Sequence, residues 1–184
     1  MYNMPFSIIA GAHSTNMAIG SAGKIPWKCR ADMNFFKEMT SKTKDPTKVN
    51  AIVMGRTTYM SMWPGLPNRL NVVLTKKPYL YESKNERVVQ EVMFCNDFAD
   101  SIIMLENMPT VETIFVIGGE MVYQQAIKDQ KCSKIYLNKV HVVCDLTNSD
   151  TFFPAVDTNI YDLIEERHDD PTVSNYVYVR KPCV

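Results

Sequence analysis

A surplus of charge of either sign is missing from this 184-residue chain, in which twenty Lys and Arg offset twenty Asp and Glu. No overall field therefore draws nucleic acid or an anionic membrane surface, and any anion site must be local. Apolar runs of membrane-spanning length are missing too, and the opening residues MYNMPFSIIAGA carry no basic leader, so a cytoplasmic protein with no membrane partner is expected. Cysteine is sparse: Cys29, Cys95, Cys132, Cys144 and Cys183 form an odd set without C-x-x-C spacing. That pattern points to reduced thiols rather than a disulfide framework. His13, His141 and His168 are scattered, with no H-x-x-x-H spacing, so no metal is expected. Without a G-x-S-x-G motif, hydrolysis has no visible apparatus either. Repeats, low-complexity segments and heptads are absent, and the length suits a single domain, residues 1–184, in a monomer.

What is present is concentrated first in residues 19–40, IGSAGKIPWKCRADMNFFKEMT. At about 100° per residue, Met33, Phe35, Phe36 and Met39 share one apolar arc of a helix, and Asp32 falls inside it. A carboxylate among Phe and Met side chains is costly unless it is hydrogen-bonded or keeps a proton. Two readings stand. Asp32 is the N-cap of a helix beginning at Met33, or it meets a ligand with paired N–H donors inside an apolar pocket. Upstream, Gly20 and Gly23 lie in a polar loop from His13 to Lys24, as turn residues or as hinges of a loop that covers a site. Trp27 is plain core or belongs to the same pocket.

Further on, the runs FSIIA (ended by Gly11), VNAIVMG, LNVVLT and TIFVIGG read as buried strands. The second passes through Gly55 into a helix from Thr57, and the fourth through Gly118 and Gly119 into a helix near Met121. Such turns leave backbone N–H groups free for an anion, and Arg56 adds charge, although an ordinary turn with a solvated arginine also fits. If these strands are parallel neighbours, Arg56 and Lys76 meet at their carboxyl ends, where open α/β sheets bind ligands. Arg69, at the other end of its strand, serves a second anion or faces water. The G-x-G-x-x-G fingerprint is missing, which disfavours the Rossmann family. A weak strand around residues 88–94 precedes a helix capped by Asp97. KIYLNKVHVV and YDLIEERH are strand-like, and VSNYVYVRK follows the turn residues Asp169, Asp170 and Pro171. The expected fold is α/β: a mixed sheet of about eight strands, mostly parallel with an antiparallel C-terminal hairpin, and helices on both faces.

The motifs fall in a telling order. Ala18, Ile19 and Gly20 run on to Pro26 and Trp27, and then comes Asp32 with Met33 and Phe36. Met54, Gly55 and Arg56 follow with Thr58, and then Leu66 and Pro67 with Arg69. Ile117, Gly118 and Gly119 precede Val122 and Tyr123, and Asp150 and Thr151 precede Phe153 and Pro154. Nearly end to end, this resembles the dihydrofolate reductase family. The resemblance implies NADPH-dependent reduction of 7,8-dihydrofolate to 5,6,7,8-tetrahydrofolate, in support of one-carbon metabolism and thymidylate synthesis, with antifolates such as methotrexate as ligands. It implies that Asp32 is the catalytic acid, accepting hydrogen bonds from N3 and the 2-amino group of the pterin while hydride reaches C6 and water protonates N5. For the substrate it implies Ile9, Met33, Phe36, Met62, Leu66, Ile117, Tyr123 and Asn138, with Arg69 on the glutamate carboxylate. For the cofactor it implies Arg56, Thr75 and Lys76 around the 2'-phosphate, and Thr57, Thr58, Gly118, Gly119, Glu120, Met121 and Val122 near the pyrophosphate. Ala10, Ile19, Gly20, Gly23, Gly55 and Leu74 complete that set. A cis peptide between Gly118 and Gly119, and a latch from Asp150 to the loop near Gly20, belong to the same resemblance. Asn138 departs from it, standing where a threonine is usual. The segment from His13 to Thr15 is longer than usual, Cys29 in the turn before the helix reads as an inert thiol or as one that approaches the pocket, and Trp63 has no assigned role. Pyrimidine reductases of the riboflavin pathway share fold and cofactor but are not expected to combine the Trp27–Asp32 spacing with Phe36 and Arg69. A silent scaffold is disfavoured by intact Asp32, Arg56 and the Gly118–Gly119 turn.

Overall fold

The computed structural model describes residues 4–77 and 92–182. Along the chain come β1 (Phe6–His13), β2 (Ala18–Gly20), α1 (Arg30–Ser41), β3 (Val49–Gly55), α2 (Arg56–Ser61), β4 (Arg69–Leu74) and β5 (Val92–Cys95). They are followed by α3 (Phe98–Glu106), β6 (Val111–Gly118), α4 (Glu120–Ala126), β7 (Cys132–Val140), β8 (Thr151–Phe152), β9 (Tyr161–Asp170) and β10 (Val173–Arg180). Eight strands form one sheet in the order β5-β4-β3-β6-β1-β7-β10-β9, and β2 pairs with β8 in a small antiparallel ribbon. From β5 to β7 the pairing is parallel, because helices or long connections carry the chain back each time. β10 runs antiparallel to both β7 and β9, and a two-residue turn suffices to join it to β9.

Period-two alternation sorts side chains between the two faces. Phe6, Ile8, Ala10 and Ala12 of β1 join Val53, Val72 and Val116 under Phe98, Ile102 and Leu105 of α3 and Val122 and Ala126 of α4. Ile9 turns the other way and joins Ile52, Met54, Phe115 and Ile117 beneath Phe35, Phe36 and Met39 of α1 and Tyr59 of α2. Helices thus cover both faces, as expected from the sequence. Ile8 and Ile114 have no exposed surface, so truncating either to alanine costs about 2–5 kcal/mol. Asn50 of β3 ties this layer to α1 by donating to the carbonyls of Thr40 and Lys42 at 3.1 and 2.8 Å, which satisfies acceptors the helix end leaves free. Asp97 caps α3 through the N–H groups of Ala99 and Asp100.

Several boundaries differ from the sequence reading. β1 does not end at Gly11 but continues to His13, because the ladder to β7 carries on through Gly11↔Asn138 and Ala12↔Lys139. The polar loop contains β2, which Phe152 and Thr151 recruit as a partner. Helices α2 and α4 start one residue before Thr57 and Met121, at Arg56 and Glu120. β9 extends through Asp170, leaving Pro171 and Thr172 as the turn. The strand expected around 88–94 begins at Val92, and residues 88–91 lie outside the described ones.

Candidate active site

Helix α1 starts at Arg30 with Cys29 as its N-cap, and no side chain caps it. Asp32 is therefore inside the first turn, and its reading as the cap of a helix from Met33 is overturned. The physical reason is tertiary: Cys29 is 3% exposed, packed with Trp27, Val140 and Val173, and its Sγ lies 3.4 Å from Thr172 Oγ1. Burial of that cluster fixes where the chain enters the helix. Asp32 is half-buried, and its Oδ1 accepts a 2.8 Å hydrogen bond from Asn138 Nδ2 on β7. A Cβ on Gly11 would come within 2.6 Å of Asp32 Oδ2, so the carboxylate rests against β1 backbone where only glycine leaves room. Burial raises the Asp32 carboxyl above its ordinary value, while hydrogen bonds from the Asn138 amide and the Trp27 indole pull it partly back.

Beside the acid lies an apolar wall. Ile9 and Ile117 from the sheet, Phe36 from α1, and Met62 and Leu66 from the proline-rich connection share one cluster. Met33 does not join it and is 66% exposed. At about 100° per residue it sits roughly 120° from Met39 around the helix, on the rim of the arc. Phe35 packs there instead. Tyr123 is buried, and its hydroxyl donates to the Ile9 carbonyl at 3.0 Å. Burial, and secondarily the Asp32 charge, push its phenol far upward. Arg69 does not face water: it is 6% exposed, donating from Nε to Pro67 O and from Nη1 to Thr40 Oγ1 at 2.9 and 2.8 Å. The buried Asn71 side chain staples the loop around Leu66, exchanging bonds of 2.9 and 3.0 Å with that residue's backbone. Trp63 is 56% exposed and stacks edge-on against Tyr59 at 5.5 Å.

The remaining candidates collect at the carboxyl ends of β4, β3, β6 and β1. Gly55 pairs with Leu74, and Met54 with Gly118, so Arg56, Thr57 and Lys76, all exposed, follow strands that end side by side. The half-buried Thr75 is held by a backbone bond to Cys95. The Gly118–Gly119 peptide is cis, and Gly118 has a φ of +108°. Thr58 Oγ1 stands 3.3 Å from where a Cβ on Gly119 would be, and Val122 lies 3.4 Å from one on Gly55. Ala10 is 4% exposed, its side chain in the core on the far face. Met121 is largely exposed, and Glu120 accepts from the Phe152 N–H at 3.1 Å. Ile19 and Gly20 lie in β2, with Gly23 in the turn beyond. The Ala22 N–H donates to Asp150 Oδ2 at 2.9 Å, and Ser21 Oγ to Asn148 O at 2.8 Å. Sequence reasoning missed Gly11, Asn50, Asn71 and Asn175. A polar residue inside an apolar run, as in VNAIVM and LNVVL, was the available signal for two of them.

No helix among the described residues is long and apolar enough to cross a membrane. An α/β sheet with an inward acid beside an apolar wall, and with cations and glycine turns at its carboxyl edge, is the frame of a ligand-binding α/β protein. The dihydrofolate reductase family profile matches residues 6–181. Dihydrofolate reductase of Heliothis virescens is 36% identical over 169 residues, covering 90% of this chain and 88% of that protein. The Drosophila melanogaster dihydrofolate reductase is 37% identical over 144 residues, 77% of this chain and 75% of that one. A bifunctional dihydrofolate reductase-thymidylate synthase of Daucus carota is 37% identical over 158 residues, 82% of this chain but 28% of the bifunctional protein. The chain belongs to the dihydrofolate reductase family. That family consists of oxidoreductases that reduce dihydrofolate to tetrahydrofolate with a nicotinamide cofactor.

Proposed function

We propose that this chain reduces 7,8-dihydrofolate to 5,6,7,8-tetrahydrofolate with NADPH, using Asp32 as the group that grips the pterin. The observation that carries the reading is the half-buried Asp32 carboxylate, which has a fixed donor on one oxygen and the Ile9, Phe36 and Ile117 wall beside it. Two N–H groups on one edge of a flat ring, N3 and the 2-amino group, match a carboxylate with acceptor capacity left over. Phe36, Met62 and Leu66 exclude water from the ring and the benzoyl portion. Arg69, its guanidinium already braced by Thr40 and Pro67, takes the glutamate carboxylate in a bidentate pair.

NADPH, when bound, supplies the hydride that reaches pteridine C6. The residues present fit such a dinucleotide. Gly55 and Gly119 keep open a cradle that a Cβ would narrow against Val122 and Thr58, and Arg56 and Lys76 offer positive charge to a 2'-phosphate. Thr57, Thr58 and the backbone from Gly118 to Val122 would hold the pyrophosphate. Asp32 binds the ring edge far from N5, so water delivers the N5 proton while the carboxylate sets the polarity of the ring. The segment 18–25 closes over the site, latched by Asp150 through the Ala22 N–H. A monomeric state and a cytoplasmic location accompany this reading.

One cuvette tests it. Near-ultraviolet absorbance of NADPH falls when dihydrofolate is added, methotrexate stops the fall, and the riboflavin-pathway pyrimidine produces none. Activity with that pyrimidine alone, or no oxidation with either substrate, overturns the proposal.

A further inference from the structure

Three adjacent strands place Gly11, Asn138 and Asn175 in one row: Gly11 pairs with Asn138 across β1 and β7, and Asn138 with Asn175 across β7 and β10. Each member meets the acid directly or through its neighbour. Gly11 leaves the space that Asp32 Oδ2 occupies. Asn138, 2% exposed, donates from Nδ2 to Asp32 Oδ1 at 2.8 Å. Asn175 Nδ2 donates to Asn138 Oδ1 at 2.6 Å.

An amide differs from a hydroxyl in having donors at one end and acceptors at the other. Turned by a half rotation, Asn138 would set its oxygen against the carboxylate, a repulsive pair. The carboxylate favours the N–H end of the amide, and that preference is incomplete while the oxygen at the other end has no donor. The donor from Asn175 reinforces it, because only the observed orientation satisfies both ends at once. We propose that Asn175 is a positioning residue for Asp32, acting through Asn138 by holding the amide with its N–H groups toward the carboxylate. This rests on the reading of Asp32 as the pterin-binding acid. Asn175 itself touches neither the acid nor the apolar wall in any contact described. The other groups bearing on Asp32 are the Trp27 indole, which donates to it, and the buried Tyr123 hydroxyl, which is committed to the Ile9 carbonyl.

The experiment is a side-chain carboxyl carbon-13 titration of Asp32 in the free, uniformly labelled protein, alongside steady-state kinetics. Asn175→Leu, which fills the space without a donor, is expected to move the Asp32 midpoint upward. It should also lower kcat/KM for dihydrofolate about tenfold through KM, the size of one weakened hydrogen bond to a charged group. Asn138→Leu moves the midpoint at least as far, and the double variant titrates like Asn138→Leu alone. Asn175→Thr, a good strand residue that keeps a donor, stays near wild type. Asn175→Asp, which needs a donor from Asn138 and so turns the amide over, shifts the midpoint further than leucine. An unchanged midpoint in Asn175→Leu, or a double variant shifted beyond Asn138→Leu, overturns the proposal. Should the leucine variant not fold, equal midpoints for the threonine and aspartate variants do the same. Because the titration uses no substrate, its failure is separable from a failure of the dihydrofolate reading.

Discussion

Asparagine in place of Asp32 separates what the acid does for turnover from what it costs the fold. Asp32→Asn keeps the shape and the acceptor for Asn138 but removes the charge. It also turns an N–H toward at least one of the ring donors. Each hydrogen bond to a charged group is worth about 1.5–3 kcal/mol, and two are at stake, one of them only partly replaced. A loss of about 3–4 kcal/mol lowers kcat/KM by roughly 100- to 1,000-fold, read from NADPH absorbance. Stability moves the other way. The folded-state carboxyl is raised above its ordinary 3.8, so this group favours folding below that value. The contribution is lost as pH rises through the raised folded value. At neutral pH the wild-type protein therefore carries a cost that the amide does not. Since the carboxylate is only half-buried, the gain is at the low end, about 1 kcal/mol, or roughly 2–4 °C in Tm for a chain of this length. Melts across pH should show that gain shrinking as pH falls toward the ordinary carboxyl value. A variant less stable than wild type at neutral pH, or one with a gain independent of pH, refutes the reasoning about burial. Undiminished turnover refutes the role of the acid.

Arg69→Leu should raise KM for dihydrofolate and cut kcat/KM about 100-fold while leaving KM for NADPH unchanged, since two charge-assisted bonds are lost; steady-state kinetics with each substrate varied checks this. Arg56→Gln combined with Lys76→Gln should weaken NADPH about tenfold or more relative to NADH, measured as the ratio of kcat/KM values. Asp150→Ala removes the acceptor of the Ala22 N–H and should change cofactor release and kcat together; stopped-flow release rates identical to wild type would dispose of the latch. Asn71→Ala cuts the bonds that close the loop on Leu66 and should cost about 2 kcal/mol, roughly 4–8 °C in Tm, seen by calorimetry.

Strand and helix types were legible because alternation and apolar runs survive without tertiary context: the runs around Ile8, Ile52, Val72 and Val116 all became parallel central strands. The inward acid was legible as well, from its place between Phe35, Phe36 and Met39. Its alternative as a helix cap looked sound because Asp is favoured there. A buried Cys29 took the cap position instead, a choice made by packing against Val140 and Val173 far along the chain. That Arg56 and Lys76 follow neighbouring strand ends was legible from topology alone. The partner of Asp32 was not legible, since Asn138 and Asn175 meet through β-strand register, which no local pattern specifies. Nor was the importance of Gly11, whose empty side-chain position matters only once α1 is laid across β1.

The ribbon of β2 and β8 joins residues more than a hundred positions apart, and β1 waits equally long for β6 and β7. On a ribosome, then, β1 emerges about a hundred residues before either strand it pairs with. Folding is dominated by distant pairings and is correspondingly slow to commit. A nascent polypeptide halted before Thr151 holds most of the apolar wall with nothing to tether the segment from Ala18 to Gly23 above it, so the site is completed only once β8 has been made.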